Sequence, residues 1–334
     1  MIHQTLLLAL AALAQPASQP STPAAGPAPT AQVPAAPPST DFQDAADLLA
    51  ALEKADEGLD QFQAEIRYDR TLDLEGERQV RMGKLYFDRA KIGERTVRRF
   101  AVCFEQFIVG TAQRTEQRFH VFDGAWYADK MPAEKKINRK EVVGPGQSFD
   151  PMKLGEGPMP IPIGQKKDDI LARYNAQLVP VEDGLGADDA ALKAFLAGST
   201  QIRLTPKAGA APGGDAFEEI RLWYRGKRPE KMGSDDKPSA RLLPRAARTV
   251  SVNKDVSIVQ LLDIRVNTEA GTDGKIDPTI MDTKAPEGWE VTEVRLPTAP
   301  SEKPAEAKPA DADSGKPSNT PQAPATDEKK DAPK

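Results

Sequence analysis

The sequence predicts a mainly β protein with a few helices, an α+β fold built on one antiparallel sheet. Three observations carry that expectation. Phe42, Ala45, Leu49, Leu52, Ala55 and Leu59 recur at steps of three and four, the mark of one amphipathic helix. From Phe62 the apolar period drops to two, as in half-buried strands. Short turn signals (Glu75-Gly76, Asp123-Gly124 and Asn253-Lys254-Asp255) then separate successive apolar runs, as in hairpins rather than in crossover connections.

The elements follow in order. Thr40 and Gln43 have the spacing of a capping box, so the helix is expected to open at Asp41, and Gly58 loosens its end. Phe62, Ala64, Ile66, Tyr68, Leu72 and Leu74 share one parity and predict the first strand. The return strand carries Val80 and Met82, then Leu85 and Phe87; the change of parity at Gly83 predicts a bulge. Phe100, Val102 and Phe104 continue the sheet, and Phe107 and Val109 follow after a second change of phase. Phe119 to Phe122 lead into Asp123-Gly124, with Trp126 and Tyr127 beyond it, and Lys135 to Val143 form a further strand. Pro and Gly interrupt from Gly144 to Gly164. Short helices are expected at about 165–174 and 188–197, then strands at about 200–206, 217–224, 245–252 and 257–266, the last two as a hairpin.

The ends read differently. Leu6 to Leu13 form a short apolar run closing on Ala12-Leu13-Ala14 before Gln15, the small-x-small form of a signal-peptidase site. Residues 1–14 are therefore expected to be a signal peptide, and the protein to be exported to the periplasm or cell envelope. No cysteine follows the site, and no later run is apolar enough to span a bilayer, so a soluble mature chain is expected. Residues 15–40 and 298–334 are rich in Pro, Ala and Ser and bury too little apolar surface to fold, leaving 41–297 as the domain.

The chemistry-bearing residues are few. The 334-residue chain has two histidines and one cysteine; His3 falls in the signal peptide, which leaves His120 on a strand and Cys103 among apolar neighbours. A zinc site would then need carboxylates at nearly every position. There is no Gly-x-Ser-x-Gly elbow, phosphate-binding loop or dinucleotide fingerprint. No catalytic residue, metal or cofactor is expected, and the chain does not read as an enzyme. The net charge of −5, with both signs interspersed, argues against a nucleic-acid partner. Arg95, Arg98 and Arg99, and Lys135, Lys136, Arg139 and Lys140, form basic clusters with acids beside them. These suit either a solvated strand edge or transient contact with a membrane surface or acidic partner.

Four stretches resemble the periplasmic lipoprotein carriers and outer-membrane lipoprotein receptors of the LolA/LolB-like superfamily. Gly83-Lys84-Leu85-Tyr86-Phe87-Asp88-Arg89 is similar to the Gly-x-Leu-x-Φ-x-Arg strand of that family. Phe122-Asp123-Gly124 with Trp126 resembles its Asp-Gly hairpin, and Leu204-Thr205-Pro206-Lys207 resembles a strand end of the carriers. Asp277, Met281, Pro286 and Gly288 keep the spacing of a C-terminal signature. The chain departs from the pattern at Ala90, Met281 and Thr283, and Asp188 to Ser199, together with the stretch before Leu242, looks like added material.

The resemblance implies an incomplete, curved β-barrel with helices closing its open side over an apolar cavity, and Arg89 holding that lid. It implies a non-catalytic carrier or chaperone for lipoprotein acyl chains or lipid, with an inner-membrane exporter and an outer-membrane acceptor as partners. An envelope sensor or protein-interaction domain on the same fold is the alternative. Ile66, Tyr68, Leu85, Phe87, Val102, Phe104, Phe122 and Trp126 then either line the cavity or form an ordinary packed core. Met152, Leu154, Met159, Ile161 and Ile163 stand in Pro-rich chain that cannot form a regular helix, and they are the candidate lid or mouth.

Overall fold

The computed structural model describes residues 41–144, 154, 163, 166–209, 217–267 and 276–296. The signal-peptide, linker and tail expectations, with Thr40, Met152, Met159 and Ile161, lie outside these residues.

Helix α1 spans Ala45–Glu57. It begins later than the Thr40 spacing suggests, because Asp44 is the residue that caps it: its carboxylate accepts from the Asp47 amide at 2.8 Å, and Asp47 accepts in turn from the Gln43 amide at 3.1 Å. Among the described residues twelve strands follow: β1 Gln61–Leu72, β2 Glu77–Ile92, β3 Arg95–Val109, β4 Ala112–Phe122, β5 Trp126–Met131, β6 Lys136–Glu141, β7 Tyr174–Val179, β8 Thr200–Pro206, β9 Phe217–Arg225, β10 Leu243–Ser251, β11 Val256–Val266 and β12 Glu290–Val294. Helices α2 (Lys167–Arg173) and α3 (Ala190–Leu196) are each seven residues long.

All twelve strands form one open, curved sheet in the order β12-β6-β5-β4-β3-β2-β1-β11-β10-β9-β8-β7. Every pairing is antiparallel except that of β12 with β6. Strands β7 and β12, the two edges, were not anticipated. The alternation in β7 is confined to Tyr174, Ala176 and Leu178, and β12, with Val291 and Val294 three residues apart, has none. Leu74, assigned to β1 by parity, lies on the β1–β2 turn and is 92% exposed.

The register explains the changes of parity. Along one face the cross-strand rows are Ala64–Leu85–Val102 and Phe62–Phe87–Phe100–Phe122. The β2–β3 ladder shifts between Met82 and Gly83, and a Cβ on Gly83 would overlap the Cys103 carbonyl, so only glycine fits that bulge. The β3–β4 ladder shifts again at Phe104, the second change of phase.

Helix α1 covers one face of the sheet, the inner face. Over β7–β10 it seats Leu48, Leu49 and Ala51 on Ile202, Leu204, Ile220, Leu222 and Ala247. Each leucine so buried contributes about 1.5–3 kcal/mol, which makes this face rather than helix propensity the reason α1 forms. Over β1–β4 and β11 the inner face is the aromatic cluster around Phe62, Phe87, Phe104 and Phe122. The outer face has two smaller clusters. Ile276 and Met281 of the C-terminal motif cover Ala101 and Val121, and α3 covers Trp223 and Ala246. The added material at 188–199 is thus the outer cover of the β9–β10 half.

Candidate functional site

The C-terminal end of α1 rests on the rim of the inner face. Along β2 the inward positions run Leu85, Phe87, Arg89, and along β3 they run Val102, Phe100, Arg98; the apolar rows therefore end in an arginine pair, Arg89 directly opposite Arg98. Arg89 Nη2 donates to the Asp56 carbonyl at 2.6 Å and to Asp56 Oδ2 at 3.1 Å, and its Nη1 donates to the Glu57 carbonyl at 3.2 Å. Arg98 Nη2 donates to the same Asp56 Oδ2 at 2.6 Å. Arg241 and Asn267 donate to the Ala55 and Gly58 carbonyls. Side chains on β2 and beside β10 and β11 thus satisfy the carbonyls that a helix end leaves open. Near its other end α1 is held by Arg228, bidentate on Asp47 at 2.8 and 2.9 Å.

Beneath the helix the packing leaves a gap of only about 20 Å³, bordered by Leu49, Leu52, Asp56, Leu59, Ile163 and Tyr224. That is room for about one water molecule. Of the residues expected to line a cavity, Ile66, Leu85, Phe87, Val102, Phe104 and Phe122 all lie buried together on the inner face. Tyr68 is half-buried at their margin, its ring 6.3 Å from Phe104 and its hydroxyl 3.3 Å from Ser257 Oγ. Trp126 lies elsewhere. Phe122 pairs with Tyr127 around the three-residue 123–125 loop, so parity inverts at the hairpin and Tyr127 takes the inward position. Trp126 faces out beneath the Arg139 guanidinium, 4.4 Å from the ring centroid. Of the candidate lid segment, Leu154 packs in the cluster under α1 and Ile163 in the aromatic cluster; both are buried. Met152, Met159 and Ile161 are outside the described residues.

A polar cluster closes the inner face away from α1. His120 Nδ1 and the Tyr127 hydroxyl share a 2.8 Å hydrogen bond, with the rings stacked. Asp129 accepts two hydrogen bonds from Arg118, at 3.0 and 2.7 Å, and stands 3.6 Å from His120. Burial pushes His120 down to about 4, against the opposing pull of Asp129, and pushes the Tyr127 hydroxyl up. Cys103, on the outer face, is likewise raised by burial to about 11 and is not a ready nucleophile. Among the described residues no group of His, Cys, Asp or Glu is arranged to hold a metal ion, and no helix is long and apolar enough to cross a membrane.

A further opening is a groove of about 590 Å³ where the ends of β2 and β3 meet the 123–125 loop and the C-terminal motif. Ile92, Val97, Ala125, Val143 and Met281 give it apolar walls, and Arg99 and Asp282 stand on its sides. The Thr283 hydroxyl donates to Asp123 there, so two of the motifs that carry the family resemblance meet in space.

Sequence reasoning named Arg89 and noticed Arg98 only as part of a basic cluster; it missed Asp56. The signal was present: a carboxylate in the last helical turn opposes the helix dipole and calls for a compensating cation.

No family model matches the sequence, and no curated protein matches it. Solved structures do. An uncharacterized conserved protein from Thermus thermophilus is 10% identical, with a TM-score of 0.36, over 74% of this chain and 96% of that one. A putative outer membrane lipoprotein-sorting protein domain from Vibrio parahaemolyticus is 9% identical, TM-score 0.30, over 70% of this chain and 97% of that one. A LolA superfamily protein from Nitrosomonas europaea is 12% identical, TM-score 0.27, over 70% and 96%. The solved structures to which this chain is similar therefore include a member of the superfamily that its motifs resemble.

Proposed function

We propose that the protein is a non-catalytic carrier or chaperone that binds the acyl chains of a lipoprotein or lipid on its inner face, after export to the cell envelope. The observation that carries this reading is the kind of cover the inner face has. Among the described residues, an apolar sheet surface lies under the 13-residue helix α1, with Ile170 of the short α2 and the side chains of Leu154 and Ile163 beside it. The helix end is held by arginine hydrogen bonds at the rim. Such a cover opens by exchanging a few rim hydrogen bonds for water, and an acyl chain entering beneath it replaces the apolar contacts that the helix gives up. The 20 Å³ gap is then the closed state; opening exposes the floor of α1, Ile202, Leu204, Ile220, Leu222 and Ala247, which continues on the same face into Ile66, Leu85, Phe87, Val102, Phe104 and Phe122. On this reading the ligand comes from an inner-membrane exporter and passes to an outer-membrane acceptor.

Arg89→Leu tests it. The variant keeps its circular dichroism spectrum, exchanges the α1 amide protons faster, and takes up the neutral apolar dye Nile red about tenfold faster than the parent. Native mass spectrometry of the purified parent shows co-purifying lipid. No lipid, and no dye uptake by either protein, would sink the reading. That result would leave the groove at Ile92, Val97 and Met281 as the working surface, and with it the alternative of a protein-interaction domain.

A further inference from the structure

We infer that Arg89 and Arg98 form an anion site whose occupant in the closed protein is the α1 carboxylate, Asp56, and that the ligand is an anionic amphiphile whose head group displaces it. The inference rests on the proposed apolar-ligand role and names its substrate class.

Two features motivate it. Like charges directly opposite on neighbouring strands repel, yet Arg89 and Arg98 are a directly opposed pair, and both point at one oxygen, Asp56 Oδ2, at 3.1 and 2.6 Å. The pair needs an anion between its guanidiniums. The helix does not need the carboxylate, since Asp56 stands in the last turn, against the negative end of the helix dipole. The sheet therefore gains from an anion here, and that anion can be another molecule's, at the loss to α1 of one rim contact.

The second feature is position. Asp56 also borders the apolar gap with Leu49, Leu52, Leu59 and Ile163. An alkyl chain that enters where this gap lies, as the cover opens, brings its terminal phosphate or carboxylate to the two arginines, where the planar guanidinium suits either group. Displacing Asp56 removes one rim contact of α1, so binding of the head and opening of the cover become one event.

The test compares dodecyl phosphate, dodecanol and inorganic phosphate, each below micelle-forming concentration, as displacers of Nile red from the full chain at pH 7. Expected is a preference of about tenfold for dodecyl phosphate over dodecanol, the size of one charge-assisted hydrogen bond. Asp56→Asn, which removes the internal competitor, widens that preference by about a further tenfold. Arg98→Gln abolishes it, and Arg98→Lys retains part of it. Inorganic phosphate at the same concentration displaces nothing; displacement by it would show a free-anion site and overturn the amphiphile assignment. Equal affinity for the two alkyl ligands in parent and variants would overturn the anion site while leaving the apolar-ligand role standing. An Asp56→Asn effect equal for both ligands would show only a loosened helix and overturn it as well. Failure of every alkyl ligand to bind removes the apolar-ligand role, and the inference with it.

Discussion

His120 shows how burial decides the meaning of a single residue. Its position between Phe119 and Val121 tied it to a strand, but nothing in the sequence revealed that Tyr127 and Asp129 would face it. Those partners come from β5 across the three-residue 123–125 loop, and the length of that loop set their parity; the same loop turned Trp126 away. The consequence for stability has a definite sign. The imidazole is held down to about 4 in the folded protein, against 6.5 for an ordinary histidine. Above about pH 6.5 it is neutral in both the folded and the unfolded chain. As the pH falls from there to about 4, only the unfolded chain takes up the proton, and stability is lost by about 3 kcal/mol. Urea denaturation across this window is expected to show that decline, and His120→Gln to flatten it. An unchanged slope in the variant would assign the decline to other groups.

At the scale of elements, legibility followed periodicity. Strands β1 to β3 and β11 were readable from apolar residues at every second position, and β8 to β10, buried on both faces, were readable as apolar runs between turn signals. The edges β7 and β12 were not, because a short edge strand has little apolar pattern to show. Helix α1 was readable from its stripe, while its start was displaced because Asp44 caps more effectively than the spacing of Thr40 and Gln43 suggested. The bulge in β2 was legible as a change of parity at Gly83, and its structural reason is backbone contact. Any side chain there meets the Cys103 carbonyl, so Gly83→Ala is expected to cost about 3 kcal/mol in chemical denaturation. A loss below about 1 kcal/mol would mean that the bulge can move along the strand.

The molecule as a whole is two apolar halves on one continuous sheet. The aromatic cluster of β1–β4 and the cluster under α1 are joined through β1, β11 and β10, with no break in the ladder order. The sequence announced strands and turns but not which strand would close on which, since the pairing of β1 with β11 joins residues such as Phe62 and Val266. Nor did it show whether the inward residues enclose space; among the described residues the packing leaves a gap of only about 20 Å³ beneath α1. A continuous ladder implies a single cooperative unit. Trp126 reports on the β4–β6 half and Trp223 on the β8–β10 half. Single-tryptophan variants retaining one or the other are expected to unfold in urea with the same midpoint, and separated midpoints would show two independent subdomains.

The seating of α1 also sets an order of events in time. The helix is the first element of the domain to be synthesised, yet its floor is built from β7 to β10, and the β1–β11 seam requires residues up to Val266. A topology dominated by such distant partners folds slowly. Throughout synthesis Leu48 and Leu49 have no surface of their own to rest on. The nascent chain therefore presents, ahead of the strands that will cover it, an unseated apolar segment that a holding chaperone can grip until the last strands arrive.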